Sequence, residues 1–129
     1  MKQLIPVTLT INDAQGVDED RYITPCHPDG GEWKLVKAVL VPNTTTAVNG
    51  TNYRTVTLKN GSAILGSLTT NSSGGAAFTA ATPSAFALSG GADLEFAANE
   101  DPLHIESTHT GGTGAAVTGV VQLSFERLA

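Results

Sequence analysis

The feature that most constrains the fold is a succession of short segments in which apolar and polar residues alternate. Clusters of Gly, Asn, Ser and Thr separate them, with turn signals near positions 49, 60, 74, 90, 100 and 112, and helical periodicity is almost absent. Alternation with a period of two is typical of strands with one buried face, and regular turn spacing is typical of all-β sandwiches. The sequence therefore predicts an all-β protein, a single sandwich of about eight strands in jelly-roll or Greek-key order, with an irregular N-terminal arm.

The same pattern predicts individual strands. Residues 7–11 alternate apolar residues with threonines, residues 32–41 form the most apolar segment, and residues 119–128 end the chain with another alternating run. Shorter strands are predicted at 85–88, 93–97 and 103–110. Residues 12–20 are predicted to be an acidic loop, and Pro25 and Pro28 interrupt regular pairing after it. We therefore divide the chain into an N-terminal strand and irregular arm, residues 1–31, and a β-sandwich domain, residues 32–129.

A hairpin is predicted where Asn60 and Gly61 separate two alternating runs. Both residues tolerate the positive φ that a type I′ turn requires, so they should form its two central positions. The resulting register pairs Leu58 with Ala63 and Val56 with Leu65.

The charge distribution excludes some classes of partner. No Lys or Arg occurs between Lys59 and Arg127; residues 1–59 carry six basic and six acidic side chains, whereas residues 60–129 carry one basic and six acidic. An acidic surface repels nucleic acid and anionic membranes, so neither is an expected partner. One further hypothesis is that the charge-balanced half contacts a partner while the acidic half faces solvent.

Two features bear on where the protein is made. Cys26 is the single cysteine, so the chain cannot form an intramolecular disulfide framework. The N-terminus becomes polar before a signal-peptide core could form, and no apolar run approaches the roughly 20 residues that span a bilayer. We expect synthesis in a reducing cytoplasm.

The sequence contains two sets of potential metal ligands, and neither has the spacing of a known site. Asp13, Asp18, Glu19 and Asp20 could supply oxygen ligands to calcium, but their spacing matches no EF-hand, and a solvated loop is favoured. A second set could supply zinc ligands: Cys26, His27, His104 and His109. Because His104 and His109 are separated by an odd number of residues, a regular strand sends them to opposite faces. We expect no metal site and no cofactor.

Catalysis is not expected either. The glycines near position 112 are not followed by a lysine and a helix, as a phosphate-binding loop requires, and no nucleophile elbow is present. Trp33, Tyr22 and Tyr53 could form a sugar-stacking surface, but Trp33 lies in the most apolar segment and is predicted to be in the core. The sequence therefore predicts a protein that is not an enzyme.

From residue 37 onward the sequence resembles the small β-sandwich decoration, or cement, proteins of tailed-bacteriophage capsids. The resemblance covers about the last 93 residues. It is carried by KAVLVP at 37–42, GTNY at 50–53, TVTL at 55–58, FAL at 86–88, DLEF at 93–96, GTG at 112–114 and VQLSF at 121–125.

This resemblance implies a jelly-roll-like domain that forms homotrimers on the outer capsid surface of the virion and clamps neighbouring major capsid protein subunits. It implies no catalytic residue. Residues 1–31 match the family least, and we expect their apolar side chains to contact the capsid: Leu4, Ile5, Val7, Leu9 and Ile11.

Two alternatives stay open. The first is a head-fibre or tail-fibre domain that binds a host receptor or glycan, for which an exposed aromatic or acidic ligand site would be the discriminating feature. The second is an enzyme on a cupin-like jelly roll, which would need several inward-facing histidines and a carboxylate, an arrangement that the histidine spacing disfavours.

Overall fold

The computed structural model describes residues 4–23, 31–97, 102–111 and 116–128, and these form two antiparallel sheets packed face to face. The strands are β1 (Leu4–Asp13), β2 (Glu19–Ile23), β3 (Glu32–Pro42), β4 (Tyr53–Asn60), β5 (Ala63–Thr69), β6 (Ser84–Ala85), β7 (Glu95–Ala97), β8 (Leu103–Thr110) and β9 (Val117–Arg127). A short 3-10 helix, Gly91–Leu94, precedes β7.

The strand order is that of a jelly roll. The first sheet, sheet A, has the order β1-β9-β3-β6, and β7 also pairs with β3; the second, sheet B, has the order β2-β8-β4-β5. Since β6 and β7 pair with different parts of β3, at Val39–Leu40 and Glu32–Lys34, they occupy one strand position between them. The predicted all-β sandwich of about eight strands is confirmed, with nine strands in eight positions among the described residues.

The core lies between the sheets because alternate residues of each strand face inward. In β9, Val121, Leu123 and Phe125 are fully buried, and the intervening residues point outward. Phe125 meets Phe96 of β7 edge to face, with ring centroids 6.2 Å apart, an arrangement that aromatic pairs favour. Trp33 is buried as well, which confirms its predicted core position.

The segment after β1 contains a strand, β2, that the sequence does not predict. The sequence predicts a loop and an irregular connection after residue 12, whereas Glu19–Ile23 pairs with β8 over five residues. The sequence gives little sign of this strand, because four of its five residues are polar or aromatic. Such a composition is possible since an edge strand buries only part of one face. Residues 24–30, which include Cys26, His27 and both prolines, lie outside the described residues.

The hairpin between β4 and β5 also differs from its predicted register. Asn60 pairs with Ala63, Leu58 pairs with Gly66, and a bulge interrupts the ladder after Leu58. Gly61 has φ of 59°, whereas Asn60 stays in the extended strand conformation. Asn60 is held there because its side-chain amide donates a hydrogen bond to the carbonyl of Asp93 at 2.9 Å. The turn therefore centres on Gly61 and Ser62, one residue later than predicted.

The predicted short strands near the middle of the chain are reduced in the structure. In place of the strand predicted at 85–88, the structure has the two-residue strand Ser84–Ala85. Part of the segment predicted as a strand at 93–97 belongs to the 3-10 helix. The strand predicted at 103–110 matches β8.

Candidate functional site

The five apolar side chains predicted to contact a capsid have different positions in the structure. Ile11 belongs to the buried core, and Ile5, Val7 and Leu9 pack partly buried against it, so these four side chains face the sandwich interior. Leu4 is 59% exposed. What β1 presents to solvent is its backbone edge, because β1 pairs with β9 and, among the described residues, with no other strand.

The charge-balanced and acidic halves of the sequence are not separated in space. Sheet A combines β1 and β3 from the first half with β6, β7 and β9 from the second, and sheet B combines β2 and β4 with β5 and β8. The hypothesis that one half faces a partner and the other faces solvent is therefore wrong. The reason is topological: a jelly roll places sequence-distant strands side by side.

The four acidic residues of the β1–β2 region have different partners. Asp18 accepts a hydrogen bond of 2.8 Å from the backbone N–H of His109, and its carboxylate lies 2.6 Å from Nδ1 of the same residue. Glu19 forms an ion pair with Arg21, Asp20 contacts His104, and Asp13 is buried. Asp18 and Asp20 thus contact different histidines, and among the described residues no three of these four carboxylates gather at one point as a calcium loop requires.

Arg54 of β4 is fully buried and links sheet B to the β1–β2 turn. Its guanidinium donates hydrogen bonds to the carbonyl oxygens of Val17 at 2.6 Å and Ala14 at 2.9 Å. Burial lowers the pKa of Arg54, and the nearby carboxylates of Asp13, Asp18 and Glu19 oppose that shift. The guanidinium stays charged, since arginine is a very weak acid, and it offsets the acidic charge around the turn.

Asp13 and Glu19 form an acidic pair beside this cation. Asp13 is 1% exposed, and neither of its carboxylate oxygens has a hydrogen-bond partner among the described residues. The contact with Asp13 is the largest cause that raises the pKa of Glu19, with burial adding to it, because adjoining carboxylates disfavour a second negative charge. The two carboxylates and the Arg54 guanidinium thus form one group of interacting charges beside the turn.

The outer face of sheet B carries the most concentrated group of polar side chains, formed across β2 and β8. Register pairs Tyr22 with His104 and Asp20 with Glu106, so all four side chains share one face. The rings of Tyr22 and His104 stack with centroids 5.1 Å apart and planes 8° apart. One ligand atom each of Asp20, His104 and Glu106 lies within 4.8 Å of the others. We call these three residues the β2–β8 triad.

Both ring nitrogens of His104 face oxygen acceptors. Nδ1 lies 2.8 Å from Oδ1 of Asp20, and Nε2 lies 2.9 Å from the carbonyl oxygen of Gly61. Burial alone lowers the pKa of His104, but the Gly61 carbonyl and the Asp20 and Glu106 carboxylates raise it, and their combined effect prevails. Positive charge at Nδ1 is therefore favoured. Lys59 completes the group with an ion pair to Glu106 at 3.0 Å.

In the sequence, Asp20 belongs to the candidate calcium ligands, His104 belongs to the candidate zinc ligands, and Glu106 belongs to neither set. The two strands that carry them are about 80 residues apart in the chain and meet only through the sheet order. A local signal was present: Asp20 with Tyr22, and His104 with Glu106, are each two residues apart and so share a strand face. His104 and His109 have different acidic partners, Asp20 and Asp18.

The outer face of sheet A is different in character. Two adjacent cross-strand rows carry only threonine, valine and glutamine: Thr10, Val120 and Val41 in one, and Thr8, Gln122 and Val39 in the other. These six residues are called the neutral face. Charged residues begin further along the same sheet, at Lys37 and at the cross-strand pair Lys34 and Glu126. A surface without charges is suited to contact with another protein, since charged residues are depleted in interface centres.

Comparisons with known proteins identify no family. No protein-family model matches the chain, and no curated protein matches it. Among solved structures, a protein of Bacillus endospore appendages, which are described as a novel family of disulfide-linked pili, aligns with 98% of this chain and 89% of that chain at 14% sequence identity and a TM-score of 0.38. The fold assignment above rests on strand pairing and not on this likeness.

Among the described residues, the structure contains no helix that is long and apolar enough to cross a membrane.

Proposed function

We propose that this protein is a non-catalytic structural subunit that decorates the outer surface of a phage capsid and stabilises it through non-covalent contacts with major capsid subunits. The observation that carries the proposal is the neutral face of sheet A. The sequence resemblance to capsid decoration proteins supports the choice of a capsid as the partner, and the jelly-roll order is compatible with it.

The neutral face has the chemistry of a docking surface. Val120 is half-buried at its centre, Val39 and Val41 are half-buried beside it on β3, and Thr8 and Gln122 are exposed. Desolvating hydroxyl and aliphatic groups costs less free energy than desolvating charges, so such a surface can be buried against a neutral partner. Contact through this face replaces the predicted contact through the inward-facing side chains of β1.

The free edge of β1 adjoins the neutral face and extends it. Residues 4–12 contain no charged side chain, and charged residues on an edge are a common protection against pairing with another chain. A capsid segment in extended conformation could add to this edge through backbone hydrogen bonds, as in other cases of strand addition.

The proposal also covers the oligomeric state of the protein and its location on the virion. A homotrimer is proposed because the capsid decoration proteins that the sequence resembles form homotrimers, in which closed rotational symmetry buries identical surfaces around one axis. The outer surface of the virion is proposed because the chain has a formal net charge of −5, and an acidic protein suits solvent better than packaged nucleic acid. Synthesis would take place in the host cytoplasm.

The proposal is tested with purified full-length protein and capsids that lack their decoration protein. Sedimentation velocity measures the oligomer, and co-sedimentation measures binding to expanded and to unexpanded heads. We expect a trimer that binds expanded heads only. A protein that binds neither form contradicts the proposal, and a monomer that binds glycans would instead favour a receptor-binding fibre domain.

A further inference from the structure

We propose that the β2–β8 triad, Asp20, His104 and Glu106, is a binding site for a first-row divalent metal ion such as Zn²⁺. This inference does not rest on the proposed capsid function. It rests on the positions of three potential ligand atoms and on the contacts that orient them.

The orientation of His104 is the first argument. Its Nε2–H can donate to the Gly61 carbonyl at 2.9 Å, which leaves the lone pair of Nδ1 directed at Asp20. Metal-binding histidines commonly donate their second ring N–H to a backbone carbonyl or a carboxylate in this way. Stacking against Tyr22 further restricts rotation of the ring. The imidazole is thus held as it would be in a metal centre.

The contact between Nδ1 and Asp20 is the second argument. With Nε2–H donating to Gly61, a distance of 2.8 Å between Nδ1 and a carboxylate oxygen requires a positive group between them. A proton meets that requirement, and a metal ion could replace it once the two atoms move slightly apart. Proton and metal therefore compete for one place, and Glu106 is near enough to supply a third ligand.

The distances permit coordination after small side-chain movements. Metal–ligand bonds of about 2.1 Å place tetrahedral ligands roughly 3.4 Å apart. Nδ1 and Oδ1 of Asp20 must therefore separate by about 0.6 Å, and the widest ligand pair, within 4.8 Å, must close by up to about 1.4 Å. The Asp20 and Glu106 side chains are 39% and 32% exposed, so they can rotate and the ion can enter from solvent.

The donor set indicates the class of ion. One imidazole nitrogen with two carboxylate oxygens suits Zn²⁺ and its first-row neighbours better than Ca²⁺ or Mg²⁺, which bind oxygen ligands. Water would complete the coordination. Glu106 would exchange its ion pair with Lys59 for the metal. An ion held in this way would tie the edge strand β2 to β8.

The test is calorimetric titration of the full-length protein with ZnCl₂ after treatment with a chelator. We expect one ion per chain, and we expect His104→Gln and Glu106→Gln each to lower the affinity by about 100-fold or more, since even second-shell changes cost 10–100-fold. His109→Gln is the matched control, because His109 lies on the same strand and contacts one carboxylate, Asp18. It should bind Zn²⁺ as the unmodified protein does.

A Cys26→Ser variant tests whether the thiol of the single cysteine, and not the triad, binds the ion. This variant should also bind Zn²⁺ as the unmodified protein does. Circular dichroism of each variant establishes that the fold is retained, and Asp20→Asn replaces any variant that fails to fold. Absence of Zn²⁺ binding up to about 1 mM, which corresponds to a binding free energy near −4 kcal/mol, would overturn the proposal. So would binding that survives His104→Gln and Glu106→Gln, or binding that is lost in Cys26→Ser.

Discussion

The guanidinium of Arg54 donates a hydrogen bond of 2.6 Å to the carbonyl oxygen of Val17, which lies 37 residues earlier in the chain. This bond, with a second one to Ala14, closes the β1–β2 turn over the interior of sheet B. Because β1 belongs to sheet A and β2 to sheet B, Arg54 holds the point at which the chain crosses between sheets.

We predict that Arg54→Met destabilises the protein by about 3–5 kcal/mol, because it removes a buried cation that interacts with the buried carboxylate of Asp13. Urea unfolding measures the change. Lys59→Met is the control: its ion pair with Glu106 lies near the surface and should contribute no more than about 1 kcal/mol. Adding Asp13→Leu to Arg54→Met should recover part of the loss, and a double variant less stable than Arg54→Met would contradict this account.

The N-terminal strand gives a second prediction, which compares two apolar residues of β1. Ile11 is buried in the core, whereas Leu4 is 59% exposed. Ile11→Ala should cost about 2–5 kcal/mol through lost burial and a residual cavity, and Leu4→Ala should change stability by no more than about 0.5 kcal/mol. Equal effects in chemical denaturation would show that β1 does not pack as described.

Gly119 of β9 gives a third prediction. A Cβ atom at this position would lie 2.3 Å from the carbonyl oxygen of Val41 and 2.8 Å from Cα of Pro42. Both are backbone atoms of the paired strand β3, so the clash cannot be relieved by turning a side chain. Gly119→Ala should therefore lower stability by about 1–3 kcal/mol or more.

The control for this substitution is Gly91→Asn. Gly91 has φ of 53°, which asparagine tolerates, and a Cβ there meets no atom within 4 Å. Its melting temperature should stay close to that of the unmodified protein. If Gly119→Ala melts at the same temperature as Gly91→Asn, the close approach of β9 to β3 is refuted.

The alternating pattern predicts those strands that bury one face along their whole length. Strands β1, β8 and β9 were predicted from it, because residues such as Leu123 and Phe125 recur at every second position. Strand β2 was not predicted, since an edge strand that buries little has a weak apolar signal. The register of the β4–β5 hairpin also depends on a contact outside it, between Asn60 and Asp93.

The surface sites were less predictable, because each is built across strands. The β2–β8 triad joins Asp20 to residues of β8, and the neutral face joins β1, β3 and β9. A single sequence indicates which residues share a strand face, but the order of strands in a sheet depends on the whole topology. For the same reason, the charge difference between the two halves of the sequence did not predict the charge of any one surface.

Contact between the neutral face of sheet A and the capsid can be tested with two variants, one on the outer face of each sheet. Val120 lies at the centre of this face, between Thr10 and Val41. Thr55 occupies a comparable position on the outside of sheet B, between Thr69 and Thr108. Both side chains are half-buried, so each substitution adds one charge to a similar environment.

The measurement is the affinity of Val120→Glu and Thr55→Glu for expanded capsids, determined by quantitative co-sedimentation once circular dichroism has established that both variants fold. We expect at least a 10-fold weaker affinity for Val120→Glu, since burying an unpaired carboxylate costs several kcal/mol, and unchanged affinity for Thr55→Glu. Full binding by Val120→Glu, or loss of binding by Thr55→Glu alone, would contradict contact through the neutral face.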